Sequence, residues 1–142
     1  GSIGLRDYDK VKYLFSLIDK KFDVIAFHHH SRTKILDEAV VCYKNKLETK
    51  ENMTEIINEM TKNKFKDNKG LSETGVLLRN HSNIKQFSKD WSRCIKICRR
   101  DQISFDYLIH KNKLKFTRGT FKEKMNMIEH YPHINVSKRE IC

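Results

Sequence analysis

The sequence WSRCIKICRRDQISFDYLI, residues 91–109, decides the fold of this chain. Apolar residues recur in it at helical spacing on both sides of a charged centre, residues 99–102. We therefore predict two helices that meet at a polar corner, and a polar corner between two apolar supports is a candidate site. The apolar positions of the two helices are Trp91, Cys94, Ile95 and Cys98 before the corner and Ile103, Tyr107 and Leu108 after it.

Outward from this stretch, the periodicity predicts a single α/β domain over residues 1–142, rich in helices and with a small sheet. A buried strand such as residues 23–27 requires neighbours on both sides, and two strands alone make a marginal sheet. We therefore expect part of the sheet to be missing or to be supplied by another chain. The predicted elements are helices over residues 7–21 (with Asp7 as N-cap), 33–47, 51–64, 83–99 and from the corner to about 110, buried strands over 23–27 and 74–79, a small strand over 114–116 and a weak helix over 121–128.

The composition is typical of one folded domain. The chain has 142 residues, of which 38% are hydrophobic, and no apolar run reaches the roughly 18 residues of a transmembrane helix. The net charge of +11 favours anionic partners such as nucleic acid, an anionic membrane or phosphorylated ligands. The alternative is that the lysines, which are spread along the chain, only solvate its surface. Cys94 and Cys98 share one helical face, which favours buried apolar side chains over a disulfide.

Polar clusters follow both predicted strands. HHHSR, residues 28–32, follows the first, and RNHS, residues 79–82, ends the second. Ligands of open α/β sheets bind beyond the carboxyl ends of the strands, so we expect both clusters to converge with residues 100–102 on one rim. Arginine and histidine suit phosphate or carboxylate groups, whereas aspartate and glutamine suit hydroxyl groups. The residues therefore predict a sugar-phosphate site.

Two features of this rim leave alternatives open. Three consecutive histidines on a strand cannot all face one metal ion, because side chains alternate, and at most His28 and His30 share a face. A metal site made from these three alone is therefore not expected, whereas one histidine at a ligand rim is. Glu38 is either a solvated carboxylate near a helix N-terminus, favoured by the helix dipole, or a ligand contact or base.

Four blocks in a fixed order resemble a known family. After the first apolar strand come HHHSRTKILDEAVVC (28–42), GLSETGVLLRNHSN (70–83) and W-x8-RDQISFDY (91–107). This order resembles the glycosyltransferase-like domain of the TOD1/MUCI70 type (the domain of unknown function 616 group), found in plant proteins and in related bacterial and viral glycan-synthesis proteins. The resemblance covers roughly residues 1–110.

The resemblance implies a GT-A-like, Rossmann-like fold, in which a nucleotide-binding half with an acidic metal motif precedes an acceptor half. This chain is similar to the acceptor-side, C-terminal half, so the nucleotide-binding strands and the acidic motif are expected on a missing N-terminal half or another chain. The opening, residues 1–5, is either a Gly-Ser tag scar or the continuation of a motif that reads Asp-Gly-Ser-Ile in relatives.

The resemblance also implies the catalytic residues. Asp101 is similar to the acidic residue near the reaction centre, where it contacts sugar hydroxyls or acts as base, and Gln102 to its neighbour facing the donor sugar. Arg100 would pair with Asp101 or with phosphate. A divalent Mn or Mg ion would neutralise the leaving diphosphate, and His130 or His133 is the candidate for completing its ligand shell.

Further residues are implied to bind substrate in the cleft between donor and acceptor. The acceptor-side strand is expected to start at one of them and to close at two others. These residues are His30, Arg32 and Glu38 in the cleft, Gly75 at the start of the strand, and Arg79 and His81 at its close.

The function expected on this basis is transfer of a sugar from a nucleotide-sugar donor to an acceptor hydroxyl on a glycan or glycoprotein. Two alternatives stay open: a basic nucleic-acid-binding module, and a catalytically inactive glycan-binding or scaffold domain. The expected location is a soluble one, either the cytoplasm in a viral or microbial setting or the Golgi lumen if the chain belongs to a larger anchored protein.

Overall fold

The structure is a computed structural model that describes residues 3–5 and 7–130, with residues 3–5, 129 and 130 described by their backbone alone. It has a helix-rich α/β architecture with a small mixed sheet, as predicted. None of the helices in the described ranges is long and apolar enough to cross a membrane. In chain order the elements are β1 (Ile3–Leu5), α1 (Tyr8–Lys20), β2 (Val24–His28), α2 (Ile35–Lys44), α3 (Lys50–Lys62), β3 (Ser72–Arg79), a 3-10 turn (His81–Asn83), α4 (Lys85–Ile97), α5 (Gln102–Lys111), β4 (Phe116–Gly119), α6 (Phe121–Met127) and β5 (Ile128–His130).

The central strand is β2, which pairs with β3 on one side and β4 on the other. The β2–β3 pair is antiparallel, whereas the β2–β4 pair is parallel. The expectation that β2 needs neighbours on both sides is confirmed. We also expected part of the sheet to be missing or to be supplied by another chain. For β2 this is wrong, because β4 of the same chain is its second neighbour. β4 begins two residues after the start of the predicted small strand. A separate antiparallel ribbon joins β1 to β5.

Alternate residues of β2 point to opposite faces of the sheet, and both faces are covered. Val24 and Ala26 pack in a cluster with residues of α2, α3, α4 and α5. Ile25 and Phe27 pack in a second cluster with residues of α1 and α6. All four side chains are at most 1% exposed, which explains why the strand reads as a continuous apolar run.

Helix α5 is buried in the hydrophobic core. It is buried on every side from Ile103 to Ile109, and all but two of these residues, Ser104 and Asp106, are hydrophobic, as expected for a helix inside the protein. Its one buried carboxylate, Asp106, accepts hydrogen bonds from Ser72 N at 2.7 Å, Ser72 Oγ at 2.6 Å and Arg118 Nη2 at 2.5 Å. Since Ser72 begins β3 and Arg118 lies in β4, one side chain anchors the helix to two strands of the sheet.

Three helices end in the same Lys-Asn-Lys sequence and the same capping motif. In each, the second lysine adopts a left-handed conformation, and the N–H of the apolar residue after it donates to a carbonyl five residues earlier, as in a Schellman motif. This motif stops α2 at Lys44, short of the predicted end. The left-handed lysines are Lys46 (φ 55°), Lys64 (φ 56°) and Lys113 (φ 53°), and the capping bonds are Leu47 N to Cys42 O, Phe65 N to Met60 O and Leu114 N to Ile109 O.

The start of α1 confirms the predicted cap. Asp7 lies just before the helix in an extended conformation, and its carboxylate accepts from Lys10 N at 2.9 Å. A side chain of this kind satisfies one of the N–H groups that the first turn leaves free.

Candidate functional site

A cavity of about 450 Å³ lies at the edge of the sheet where β2 and β4 end. Because the two strands are parallel, their carboxyl ends meet there, which is where α/β sheets place their ligands. Five residues expected at a site line it together, and further walls come from β3 and α6. The five are His30, Arg32, Glu38, Arg100 and Gln102.

A buried carboxylate, Glu38, lies at the centre of the polar wall. It is 2% exposed, in the first turn of α2, so it is not the solvated helix carboxylate that the sequence left open. Arg32 Nε donates to its Oε2 at 2.5 Å, and Arg100 Nη2 lies 4.0 Å from its Oε1. The Cys42 thiol donates to Oε1 at 3.5 Å. Burial and then the charge of Glu38 raise the pKa of that thiol, so Cys42 stays protonated.

His29 holds the loop that follows β2. Its side chain is 4% exposed, and its Nδ1 accepts from the backbone N–H groups of Ser31 at 3.2 Å and Arg32 at 3.1 Å. Burial lowers the pKa of His29, against the opposing pull of Glu38. The other ring nitrogen, Nε2, lies 3.3 Å from Arg32 Nη2 and 3.6 Å from Glu38 Oε2, so His29 contacts both members of that ion pair.

The aromatic side of the cavity is made by His30 and Phe121. The His30 ring stacks on His29 with centroids 4.5 Å apart and lies 5.3 Å from the Phe121 ring. Met125, on the same helix as Phe121, adds an apolar surface. A ring with one apolar face therefore has a place to pack beside the polar wall.

A second ion pair closes the cavity from the α6 side. Lys124 is 3% exposed and pairs with Glu73, which lies near the start of β3. The other oxygen of Glu73 accepts from Gly75 N at 2.7 Å. A Cβ on Gly75 would lie 2.5 Å from that oxygen, so a side chain there would displace the carboxylate. Gly75 was expected to start the strand, but β3 begins at Ser72 and Gly75 lies inside it.

The residues of the polar corner have different positions: some line the cavity, whereas Asp101 supports the corner itself. Arg100 and Gln102 line the cavity. Asp101 serves the corner itself: its carbonyl accepts from Trp91 Nε1 at 3.2 Å and from Phe105 N at 3.2 Å, and its carboxylate makes no capping bond. The ion pair found for Arg100 is with Glu38 and not with Asp101.

Arg79 and His81 lie at the other end of the sheet. β3 is antiparallel to β2, and Arg79 pairs with Val24, the first residue of β2. The expected convergence of residues 79–81 with the histidine block and the corner is therefore wrong. The expectation assumed that both strands point the same way, and the chain direction of β3 places its carboxyl end opposite the cavity.

Several residues of the cavity were not found from the sequence. They are His29 as the buried member of the triplet, Glu73, Phe121, Lys124 and Met125. The residues of α6 belong to a segment with weak periodicity, and no local signal marks them. Glu73 had one signal, because it stands two residues before a glycine inside the second strand.

Metal ligation does not follow from the described part of the chain. No group of three or more His, Cys, Asp or Glu side chains occurs there in a geometry that could hold a metal ion. The two carboxylates of the cavity, Glu38 and Glu73, are each already paired with a cation. His133 lies outside the described residues, and His130 is described by its backbone only. The Mn or Mg ion stays a prediction.

The charges and contacts of the cavity are the basis for assigning its function. Comparison with protein-family models, with curated proteins and with solved structures finds no match for this chain.

Proposed function

We propose that this chain is the acceptor-side part of a GT-A-like glycosyltransferase that transfers a sugar from a nucleotide-sugar donor to a hydroxyl of a glycan or glycoprotein. The observation that supports the proposal is the shared cavity at the parallel edge of the sheet. There residues 30–38 after β2, Glu73 of β3 and the corner before α5 come together, and they belong to three separate blocks of sequence that resemble this family: 28–42, 70–83 and 91–107.

The cavity suits a ligand rich in hydroxyl groups. Among the described residues, two buried side-chain polar atoms lack a hydrogen-bond partner, Arg100 Nε and Gln102 Oε1, and both residues line the cavity. One of these atoms is a donor and the other an acceptor. Both atoms are buried in this structure, so a sugar hydroxyl, which accepts and donates at once, would satisfy them after the two side chains turn towards the cavity. Leaving such a group unpaired costs about 1–3 kcal/mol, which a bound sugar would recover.

The residues have different roles in this proposal. Gln102 and Arg100 bind and orient the sugar. The base that would take the proton of the acceptor hydroxyl is, by the resemblance alone, Asp101, which lies between them in sequence but does not line the cavity. Glu38 is a positioning residue, because its contact with Arg32 at 2.5 Å keeps its charge engaged.

The proposal is tested by nucleotide-sugar turnover. Release of UDP or GDP from a panel of nucleotide sugars is measured for the natural protein that carries this chain and for its Gln102→Ala, Asp101→Asn and Arg79→Ala variants. We expect Gln102→Ala to lower the rate roughly tenfold, since one lost hydrogen bond to substrate is worth about 1.4 kcal/mol. We expect Asp101→Asn to lower it more, and Arg79→Ala to leave it unchanged because Arg79 lies at the far edge.

Equal rates for Gln102→Ala and Arg79→Ala would reject a role for the cavity. Equal rates for the natural protein and Asp101→Asn would remove Asp101 from the mechanism. Binding of sugars that Gln102→Ala weakens, together with no turnover of any donor, would favour the catalytically inactive glycan-binding alternative.

A basic surface supports nucleic-acid binding as a second candidate function. Lys85, Lys89 and Lys96 are exposed on one side of α4, and the latter two line a shallow groove with Arg93. Contacts of this kind with phosphates weaken steeply as salt rises. We expect Lys89→Gln with Lys96→Gln to reduce both the affinity for single-stranded RNA and its salt dependence. No retention of RNA at low salt would reject this candidate.

A further inference from the structure

The charges that line the cavity do not balance. Among the residues that the structure describes, its lining holds three permanent cations and two carboxylates. Arg32 is bound to Glu38 at 2.5 Å, and Lys124 is paired with Glu73. Arg100 is the cation left over: its Nη2 lies 4.0 Å from a carboxylate that Arg32 already engages. His29 does not add to the surplus, because burial lowers its pKa.

The surplus charge coincides with the unsatisfied hydrogen-bonding groups. Arg100 Nε is buried and lacks a partner, although the side chain as a whole is 36% exposed. Two residues along the chain, Gln102 Oε1 also lacks one and requires a donor. An anionic group at Arg100 would both neutralise the surplus and occupy the guanidinium, and a neighbouring hydroxyl would donate to Gln102. The aromatic pair His30 and Phe121 gives the ring of such a ligand an apolar surface on which to pack.

We propose that the sugar bound in this cavity carries one anionic group, either the carboxylate of a uronic acid or a phosphate monoester, which Arg100 binds next to a hydroxyl held by Gln102. This inference rests on the proposed function only in taking the ligand to be a sugar. A neutral sugar leaves Arg100 without a counter-charge. A uronate brings one negative charge and matches the surplus, and a phosphate monoester brings about 1.5 to 2 at pH 7. A diphosphate brings still more and would have to draw Arg32 from Glu38 or Lys124 from Glu73, which leaves the buried Glu38 or the buried Lys124 unpaired.

The test is a set of matched ligands titrated into the 142-residue chain and followed by ligand-observed NMR. The ligands are methyl glucoside, methyl glucuronoside, glucose 6-phosphate and UDP. We expect one of the two acidic sugars, methyl glucuronoside or glucose 6-phosphate, to bind at least tenfold more tightly than methyl glucoside and more tightly than UDP. Which of the two binds better distinguishes a carboxylate ligand from a phosphate ligand.

Two substitutions connect the preference to Arg100. Arg100→Gln should remove the preference for the acidic sugar while leaving the weak affinity for methyl glucoside, and Arg100→Lys should keep part of the preference because it retains the charge but not the planar fork. Arg79→Gln, at the other edge of the sheet, is the matched control and should change neither affinity.

Equal affinity for methyl glucoside and both acidic sugars would overturn the inference, and so would a preference that Arg100→Gln leaves intact. The outcome is separable from that of the proposed function. An Arg100-dependent preference in a protein that turns over no nucleotide sugar supports the inference and rejects the transferase. Turnover that uses only neutral acceptors, without such a preference, rejects the inference and supports the transferase.

Discussion

Two buried carboxylates, Asp106 and Glu38, form similar ion pairs that have different roles in the protein. Asp106 and Glu38 are each 2% exposed, and each accepts from an arginine at 2.5 Å. Both belong to helices that pack on the same face of β2. They differ in what completes their coordination.

The Asp106 network is closed. Ser72 supplies two donors and Arg118 a third, and Arg118 Nε in turn donates to Ser72 Oγ at 2.7 Å. The Glu38 network is open, since its second arginine stays 4.0 Å away and carries an unpartnered Nε beside the cavity. A closed network holds α5 against the sheet, whereas an open one keeps donors available for a ligand.

The largest expected effect comes from the closed network. Asp106→Ala leaves Arg118, whose side chain is 12% exposed, without its counter-charge, and it removes the acceptor of both the Ser72 N–H and the Ser72 hydroxyl. Breaking a buried pair from one side costs about 3–5 kcal/mol. We expect a loss of this size in the free energy of unfolding, measured by urea denaturation. A loss below about 1 kcal/mol would show that Asp106 is not the anchor of α5.

The open network should be less important for stability and more important for binding. Glu38→Gln removes the charge that faces Arg32, whose side chain is 25% exposed and so retains contact with water. We expect a loss of about 1–3 kcal/mol in urea denaturation, smaller than for Asp106→Ala, together with a measurable change in the affinity for anionic sugars. If Glu38→Gln destabilises the protein more than Asp106→Ala does, the distinction between the two networks is wrong.

The same comparison explains what sequence reasoning found. The periodicity of residues 91–109 predicted both α4 and α5, because apolar side chains that recur at helical spacing are buried together when the segment forms a helix. The prediction that Gln102, Arg100 and the residues after β2 lie at one site was made because ligands of α/β sheets bind beyond the carboxyl ends of the strands. Asp106 was within the same stretch and was not singled out. A lone carboxylate in an otherwise apolar helix was its signal, since a charge buried there requires a partner.

The remaining parts depended on pairings that lie far apart in sequence. Nothing local tells that β3 runs antiparallel to β2, and this direction alone moved Arg79 and His81 away from the cavity. The strand β4 was expected slightly too early, because Lys115 is held by hydrogen bonds with Asp23 before the ladder begins at Phe116. Lys124 reaches Glu73 across 51 residues, a contact visible only in the folded chain.

A smaller effect is expected from a substitution that changes the stability of the protein without changing its affinity for sugars. Lys113, in the left-handed conformation after α5, has a side chain where glycine is favoured. We expect Lys113→Gly to raise the free energy of unfolding by roughly 0.5–1 kcal/mol, the relief of left-handed strain less the greater freedom of glycine in the unfolded chain. Sugar affinity should not change. Lys111→Gly, inside the helix, is the matched control and should be destabilising.

The smallest expected effect is a dependence of stability on pH that arises from His29, which contacts Glu38 in the open network. Burial lowers the pKa of His29, so near pH 6 the folded protein binds fewer protons at this residue than the unfolded chain does. Stability should therefore be full well above the usual histidine pKa of about 6.5 and should fall as the pH drops through it. His29→Gln, whose amide oxygen can still accept a backbone hydrogen bond, should flatten this fall in urea titrations at pH 7.5 and pH 5.5. His81→Gln, on the exposed 3-10 turn at the far edge, should leave the fall intact. An unchanged slope in His29→Gln would place the acid sensitivity elsewhere and leave His29 as a neutral support of the loop.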